Sequence, residues 1–502
     1  MSSRFGQGSW ARGQAIGFIV KSLILNSASA IALSLVAAPP PAAAQHEHHG
    51  APAPGNKPAA EKAAPPPPAE PEHQHGAPPA PPSPPAPVID HSGHVGYGAP
   101  AEPTAAGDRH GSHGGALGPY PMNREASGTA WQPDTSLHTS LMRSAGDWTL
   151  MGHGMLNLVY DRQGGRRGDD KLSPAGMLMG MARRPLGNGT LQFKAMISPD
   201  PLMGKSGYPL LLASGETANG VDHLIDRQHP HDFFMELSGS VSQNVGPKSS
   251  VFLYAGLPGE PAFGPPAFMH REAILDSPEA PISHHWLDST HIAFGVVTGG
   301  LVLDRWKLEV SRFNGREPDQ HRWNIETGPL DSTAVRLSWN PTGTLSLQGS
   351  WGKFEEPEQL EPGVDQTRWS ASALYAREVA PGWKLAGTLA WGRKSIEHHG
   401  ERLNDDAYVA EASLKHGGWT MFGRGEVTEN RELVEVEGEE HSPAYRVGKV
   451  SAGAVRDFRI AQHLTFGVGG LVSLNFVPDE LSPGYGGNHP MGAMGFVRLK
   501  LD

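Results

Sequence analysis

The sequence predicts an all-β chain whose C-terminal part closes as an antiparallel transmembrane β-barrel of about sixteen strands. Three observations predict it. From Trp148 onward, short segments alternate apolar and polar residues; the connections between them are short and long by turns; and the N-terminus carries an export signal.

The alternation has period two, as strands with one face to lipid and one to a lumen require. Trp306, Leu308 and Val310 alternate with Lys307, Glu309 and Ser311, and Val335, Leu337 and Trp339 with Arg336, Ser338 and Asn340. At the C-terminus Val497, Leu499 and Leu501 alternate with Arg498 and Lys500. Soluble sandwiches alternate too, but they have no reason to sort loop length by parity. Here Pro185–Asn188, Gly246–Lys248, Asp304–Arg305, Pro341–Gly343 and the turn at Pro381 are tight. Between them fall the long stretches Asp200–His231, Pro258–Ser289, Asn314–Ser332, Glu355–Thr367, Ser395–Ala407, Glu429–Tyr445 and Val477–Pro490. Short periplasmic turns and long outer loops are the layout of outer-membrane barrels. Trp339, Trp351, Trp369, Trp383, Trp391 and Trp419 fall near strand ends, where indoles favour the water–lipid boundary.

The export signal has Arg4, Arg12 and Lys21 before the apolar run Ser22–Ala38, then Ala42-Ala43-Ala44 ahead of Gln45. That order is a cleavable signal peptide. The expected organisation is a signal peptide over 1–44, a disordered Pro/Ala/His-rich periplasmic tail over 45–120, a linker over 121–147 and an outer-membrane barrel over 148–502. Both termini are expected in the periplasm.

Composition bounds the function. The chain has 502 residues, a net charge of −11 and no Cys. The charge gives no basic footprint for nucleic acid, and the absence of Cys excludes thiolate zinc sites and disulfides. The tail has too few large apolar residues to offset the entropy of ordering, so disorder is expected. It contains His46, His48 and His49, His73 and His75, His91 and His94, and His110 and His113. Closely spaced imidazoles on a flexible chain chelate Cu(II), Ni(II) or Zn(II).

The long loops hold a second set: His223, Asp226, His229, His231 and Asp232, then His270, His284, His285, Asp288 and His291 further on. Asp226, His229, His231 and Asp232 offer a nitrogen and oxygen site for zinc, nickel or copper at a pore mouth. The same residues serve equally as a hydrogen-bonded and ionic lattice folding the loops against each other and the lumen. A third reading is a metal-dependent hydrolase, but His-x-His in such enzymes belongs to parallel-sheet scaffolds with helices.

The blocks Gly128-Thr129-Ala130-Trp131-Gln132-Pro133, Gly152-His153-Gly154, Tyr160–Gly165, Met177–Arg184 and Leu224–Phe234 are similar to a family of little-characterised, His-rich outer-membrane proteins associated with copper and other heavy-metal resistance. The resemblance runs from Gly128 to Asp502. It implies a barrel and a metal context and brings no ligand residue with it. The tail also resembles the His/Met-rich leaders of copper-resistance outer-membrane proteins, but it is poor in Met, which argues against Cu(I) there.

The expectation is therefore a non-enzymatic outer-membrane barrel with a metal-binding tail, acting in heavy-metal tolerance or transport. The alternative is a general porin-like channel whose His and Asp loops are structural. Outer-membrane lipid and metal ions are the expected partners; oligomeric state is open.

Overall fold

The computed structural model describes residues 114–137, 139–398, 401–434 and 442–501. The signal peptide and most of the tail lie outside the described residues, and with them His46, His48, His49, His73, His75, His91, His94, His110 and His113.

The barrel strands are β2 (Trp148–Gln163), β3 (Asp170–Leu186), β4 (Gly189–Ile197), β7 (Phe234–Gly246), β8 (Ser249–Gly256), β9 (Val296–Leu303), β10 (Trp306–Phe313), β11 (Ser332–Thr342) and β12 (Leu345–Phe354). They continue as β13 (Gln366–Ala380), β14 (Trp383–His398), β15 (Glu401–His416), β16 (Trp419–Asn430), β17 (Tyr445–Ala461), β18 (Leu464–Phe476) and β19 (Met491–Leu501). Each pairs antiparallel with the next, and β19 returns to β2 from Leu501↔Gly154 to Gly492↔Gln163, closing a sixteen-strand barrel. A short strand, β1 (Leu141–Ala145), pairs with Trp148–Gly152 of β2 and occupies the edge that β19 leaves beyond Gly154.

The alternation seen in the sequence sorts the two faces. Along β10, Trp306, Leu308 and Val310 are exposed while Lys307, Glu309, Ser311 and Phe313 are buried. Leu158, Leu253, Leu337, Leu389, Val450 and Leu499 continue the outward apolar surface around the wall. Each of these side chains gains by leaving water for hydrocarbon, and the closed ladder leaves no strand edge to lipid. The indoles form two belts. Trp306 stacks on Trp339 at 4.8 Å between ring centroids and Trp383 on His416 at 4.1 Å, both toward the tight turns. Trp351 faces Trp369 across β12 and β13, and Trp391 faces Tyr408 across β14 and β15, toward the long loops. This is a transmembrane barrel of the outer-membrane type.

The lumen is filled by three insertions. From the tight-turn side comes Gly114–Ser136, closed on itself by bridges Gly114↔Pro121 and Glu125↔Trp131 and by the Arg124–Asp134 pair at 2.6 Å. From the other side come a hairpin of β5 (Tyr208–Thr217) and β6 (His223–Gln228), and the buried loop from Pro258 to Gly295. Leu210, Leu211 and Leu212 of the hairpin pack with Phe268, Ile274 and Ile282 of the loop and with wall residues Phe422, Val455 and Phe496.

Four expectations are corrected. Residues 114–120, expected in the disordered tail, and 121–136, expected as linker, form the lumenal plug, because Leu117, Tyr120 and Trp131 find an apolar partner in Phe252 and Val302 of the wall. The rest of that linker contains β1. The stretch Asp200–His231 is not an irregular loop but carries the β5–β6 hairpin. The long stretch from Pro258, which the sequence ends at Ser289 with a strand expected over Thr290–Leu301, runs on to Gly295; the strand begins only at Val296, since Ser289–His291 is a helical turn of the lumenal loop.

Candidate functional site

The plug is held by wall side chains donating to its backbone. Ser242 Oγ donates to Ala116 O at 2.7 Å, Ser250 Oγ to Leu117 O at 2.6 Å and Lys194 Nζ to Gly128 O at 2.9 Å. Lys307 donates to Thr129 O, Arg336 to Thr129 Oγ1 at 2.9 Å, and Asn340 Nδ2 to Gln132 O at 2.9 Å. These donors are lumen-facing polar residues of the alternation, so the periodicity that builds the wall also supplies the seat.

The Pro258–Gly295 loop is pinned by buried ion pairs. Arg271 bridges Asp288 of its own loop at 2.6 Å and Glu411 of β15 at 2.7 Å. Asp276 meets Arg498 of β19 at 2.8 Å, and Glu279 meets Lys449 of β17 at 2.5 Å. All these side chains are fully or almost fully buried. Such pairs are costly to break, because removal of one partner strands a buried charge.

Between hairpin and loop lies a cluster of five histidines. The β6–β7 connection brings His229 and His231, separated by Pro230, and the helical turn His284–Leu287 with the following turn brings His284, His285 and His291. Ring centroids are 5.4 Å apart for His229–His285, 5.0 Å for His231–His291 and 5.2 Å for His284–His291. The Nδ1 atoms are oriented by acceptors: His231 by Asp200 at 2.7 Å, His284 by Asp288 Oδ1 at 2.8 Å and His291 by Asp288 O at 2.7 Å. His285 Nδ1 faces Glu317 at 3.2 Å. His229 differs, presenting Nε2 to Glu216 at 3.1 Å. The Nε2 atoms of His231, His284, His285 and His291 are buried without a hydrogen-bond partner. An imidazole with Nδ1 fixed by a carboxylate or carbonyl and Nε2 unengaged is the arrangement that metal-binding histidines adopt.

Burial and neighbours set the charges. Burial, then Arg322 and the neighbouring rings, holds His229 well below its ordinary range; burial and His231 and His284 do the same to His291. Burial also lowers His284, with Asp288 opposing it. His285 goes the other way: burial lowers it, but Glu317 outweighs burial and raises it to about 9. Burial pushes Glu216 up to about 8 although Arg322 opposes it, and raises Glu358 to about 7 with Glu317 adding to the rise. The cluster thus holds its rings neutral at His229, His284 and His291 and one imidazolium at His285.

Of the residues singled out in the sequence, His229 and His231 enter this cluster. Asp232 lies beside it and pairs with Arg322 at 3.2 Å. Asp226 does not join them; it accepts from Leu212 N at 2.8 Å and from Tyr485 Oη at 2.9 Å, and pairs with Arg167 at 3.2 Å. It is committed to holding the hairpin, where Leu212 and Asp226 itself take left-handed backbone conformations. His223 opens β6 opposite Thr217. The grouping Asp226, His229, His231 and Asp232 is therefore not one site. Among the described residues, donor atoms of His285, Glu317 and Glu358 converge, all within 4.8 Å of one another, with Arg368 at 3.5 Å from each carboxylate. The sequence signal for this partner loop was present in His284-His285 and His291; that the two loops meet in the lumen was not in the spacing.

No family model matches the chain, and no curated protein matches it. Among solved structures it is similar to the high-pH structure of Pseudomonas putida OprB, at 10% identity over 71% of this chain and 94% of that one, with a TM-score of 0.46. It is similar also to Salmonella typhi OmpF in complex with daunomycin, at 11% identity over 72% and 100% of the chains and a TM-score of 0.44. An anion-selective porin from Comamonas acidovorans gives 14% identity, 70% and 100% coverage and 0.43. The barrel assignment rests on its own strand register rather than on these likenesses. Fold and lumen together define a sixteen-strand transmembrane β-barrel of the outer-membrane type whose lumen holds segments of its own chain.

Proposed function

We propose that the protein is a gated porin-like channel of the bacterial outer membrane for small polar solutes, closed at rest by the lumenal loop and the N-terminal plug. One observation carries the reading: Arg271, Asp276 and Glu279 of the loop are pinned by buried charges on β15, β17 and β19, inside a wall whose lumenal face is charged. A charged wall serves water and polar solutes; a loop fixed by ion pairs to that wall is a closure that changes in local charge can release. The test is single-channel conductance in planar bilayers. The intact protein is expected to conduct rarely and in small steps, and deletion of Gly114–Ser136 combined with Arg271→Met to give large, persistent steps. Open-pore conductance in the intact protein, or none in the deleted one, contradicts the reading.

A second reading, metal handling, is favoured by the His285, Glu317 and Glu358 donors and by the four unpartnered Nε2 atoms. Their nitrogen and oxygen chemistry suits Zn(II), Ni(II) or Cu(II). It agrees with the resemblance to heavy-metal-resistance proteins and with a chelating tail. Equilibrium dialysis of the whole protein against Zn(II), before and after Glu317→Gln with His285→Gln, tests it; unchanged binding counts against the loop site. The hydrolase alternative has less support, since His229-Pro230-His231 lies in a loop of an antiparallel barrel.

A further inference from the structure

The lumenal face of β2, β3 and β4 carries a concentration of thioether side chains. Strand register sets Met151 opposite Met181, His153 opposite Met179, and Met155 opposite Met177, with Met196 of β4 opposite Met179. The outward neighbours Leu150 and Leu178 are exposed, so these residues point inward. Six methionines on three adjacent strands, in a chain with 15 in all, form one patch. Five of them, all but Met196, line a cavity of about 150 Å³ between the wall, the plug and the lumenal loop.

We infer that Met151, Met179 and Met181, with His153, form a lumenal binding site for a soft monovalent cation of the Cu(I) or Ag(I) class. Directly opposed residues on paired strands have Cβ atoms about 5 Å apart and diagonal ones about 7–8 Å. A methionine reaches far enough past Cβ for sulfurs spaced this way to converge on one ion. Thioethers are neutral and polarizable; they bind soft d¹⁰ cations well and Zn(II) or Ni(II) poorly. The imidazole of His153 adds one nitrogen donor. Met155 is left out of the ligand set because its Sδ accepts from Arg498 at 3.4 Å. Lys194, Lys415 and Lys500 line the cavity; Lys194 is paired with Glu236 at 3.2 Å and Lys415 with Asp276 at 2.8 Å. Glu125 and Glu272 line the cavity too and offset the charge of a bound cation. The site is separate from the histidine cluster and stands whether or not the pore opens.

A dry patch that only seats the plug is the competing account, because Leu117 and Met122 of the plug line the same cavity. Binding of Ag(I) to the full-length protein in detergent separates the two, in chloride-free buffer with excess Zn(II) to occupy imidazole and carboxylate sites. One Ag(I) equivalent is expected to survive the Zn(II), and X-ray absorption at the silver edge is expected to show a sulfur shell. The chain has no Cys, so that sulfur comes from methionine. The triple variant Met151→Leu/Met179→Leu/Met181→Leu keeps size and apolarity and is expected to weaken this equivalent at least tenfold while keeping the mobility of the folded barrel on gels. If the triple variant misfolds, Met151→Leu and Met179→Leu are read singly, each expected to weaken binding severalfold. Displacement of all Ag(I) by Zn(II), a shell of nitrogen and oxygen only, or equal binding by native and variant proteins overturns the inference.

Discussion

Arg271 of the lumenal loop grips Glu411 of the barrel wall with two parallel hydrogen bonds, Nε to Oε2 at 2.8 Å and Nη2 to Oε1 at 2.7 Å. The same guanidinium holds Asp288, whose carboxylate orients His284, so one side chain ties wall, loop and histidine cluster together. Replacing one partner of a buried pair costs about 3–5 kcal/mol, because the remaining charges lose their compensation. Arg271→Met is therefore expected to lower the temperature at which the folded gel mobility is lost and to raise conductance. Adding Asp288→Asn should recover part of the stability, whereas Glu411 keeps a buried partner in Arg424 at 3.2 Å and is left in place. A single variant as heat-resistant as the native protein would show the pair to be dispensable.

The loop's pH dependence follows from opposite shifts. His229, His284 and His291 are depressed, so their contribution to the closed state is present above about 6.5 and lost as pH falls through their lowered values. Glu216 and Glu358 are raised; their contribution is full below about 4.5 and is lost as pH rises through about 8 for Glu216 and about 7 for Glu358. His285, raised to about 9, keeps its ion pair with Glu317 up to about that pH; the contribution is full below about 6.5 and is lost as pH rises through about 9. The closed state is thus squeezed from both sides, and channel opening is expected to be rarest near neutrality and more frequent at about pH 5 and about pH 9. Glu216→Gln should flatten the alkaline arm and His291→Gln the acid arm. Conductance recorded across this range checks it; a flat profile in the native protein would falsify the account.

Gly392 on β14 is where the wall accommodates the loop. A Cβ there would lie 2.4 Å from the carbonyl oxygen of Trp286 and 3.0 Å from its Cβ, distances that force the loop to move. Trp286 is buried, donates to Asp405 O at 3.0 Å and lies under Lys394 at 4.5 Å, so the displacement is transmitted to the helical turn that carries His284 and His285. Gly392→Ala is expected to leave the barrel folded but to make the loop accessible to trypsin at Arg271, which is fully buried in the native protein. Equal resistance of native and variant loops to cleavage would show that the wall yields instead.

What the sequence made legible is the part governed by a local period. The faces of β10, β11 and β19 follow from alternation alone, since lipid and lumen impose opposite polarity on neighbouring residues. What it hid is the part set by long-range docking. Gly114–Ser136 reads as spacer because it has few apolar residues, yet its carbonyls are satisfied by Ser242, Ser250 and Lys194 from distant strands. Asp226 and His229 are three apart and read as one site, but the positive φ of Asp226 turns its carboxylate to Leu212 and Tyr485. His229 meets His285 instead, a partner from another loop. The methionines of β3 stand in the block Met177–Arg184, and only the register shows that they oppose Met151, His153 and Met155 of β2.

The orientation of the barrel can be argued from the plug. Its Ala116 and Leu117 carbonyls accept from Ser242 and Ser250, which flank the tight turn joining β7 to β8, and its Thr135 donates to Gly343 O at the turn joining β11 to β12. The plug therefore enters from the tight-turn end, where Gly114 O accepts from Arg183 of β3 at 3.0 Å. Leu501, at the C-terminal end of β19, pairs with Gly154 beside the β1–β2 hairpin, which puts the end of β19 there too. In an outer-membrane barrel the short turns face the periplasm. An epitope inserted between Asn430 and Tyr445, at the opposite end, is expected to be labelled by antibody on intact cells. One placed just after Gln45 should be labelled only once the outer membrane is permeabilised. The opposite labelling pattern would invert the barrel and make the plug an external lid, open to displacement by solutes from outside rather than from within.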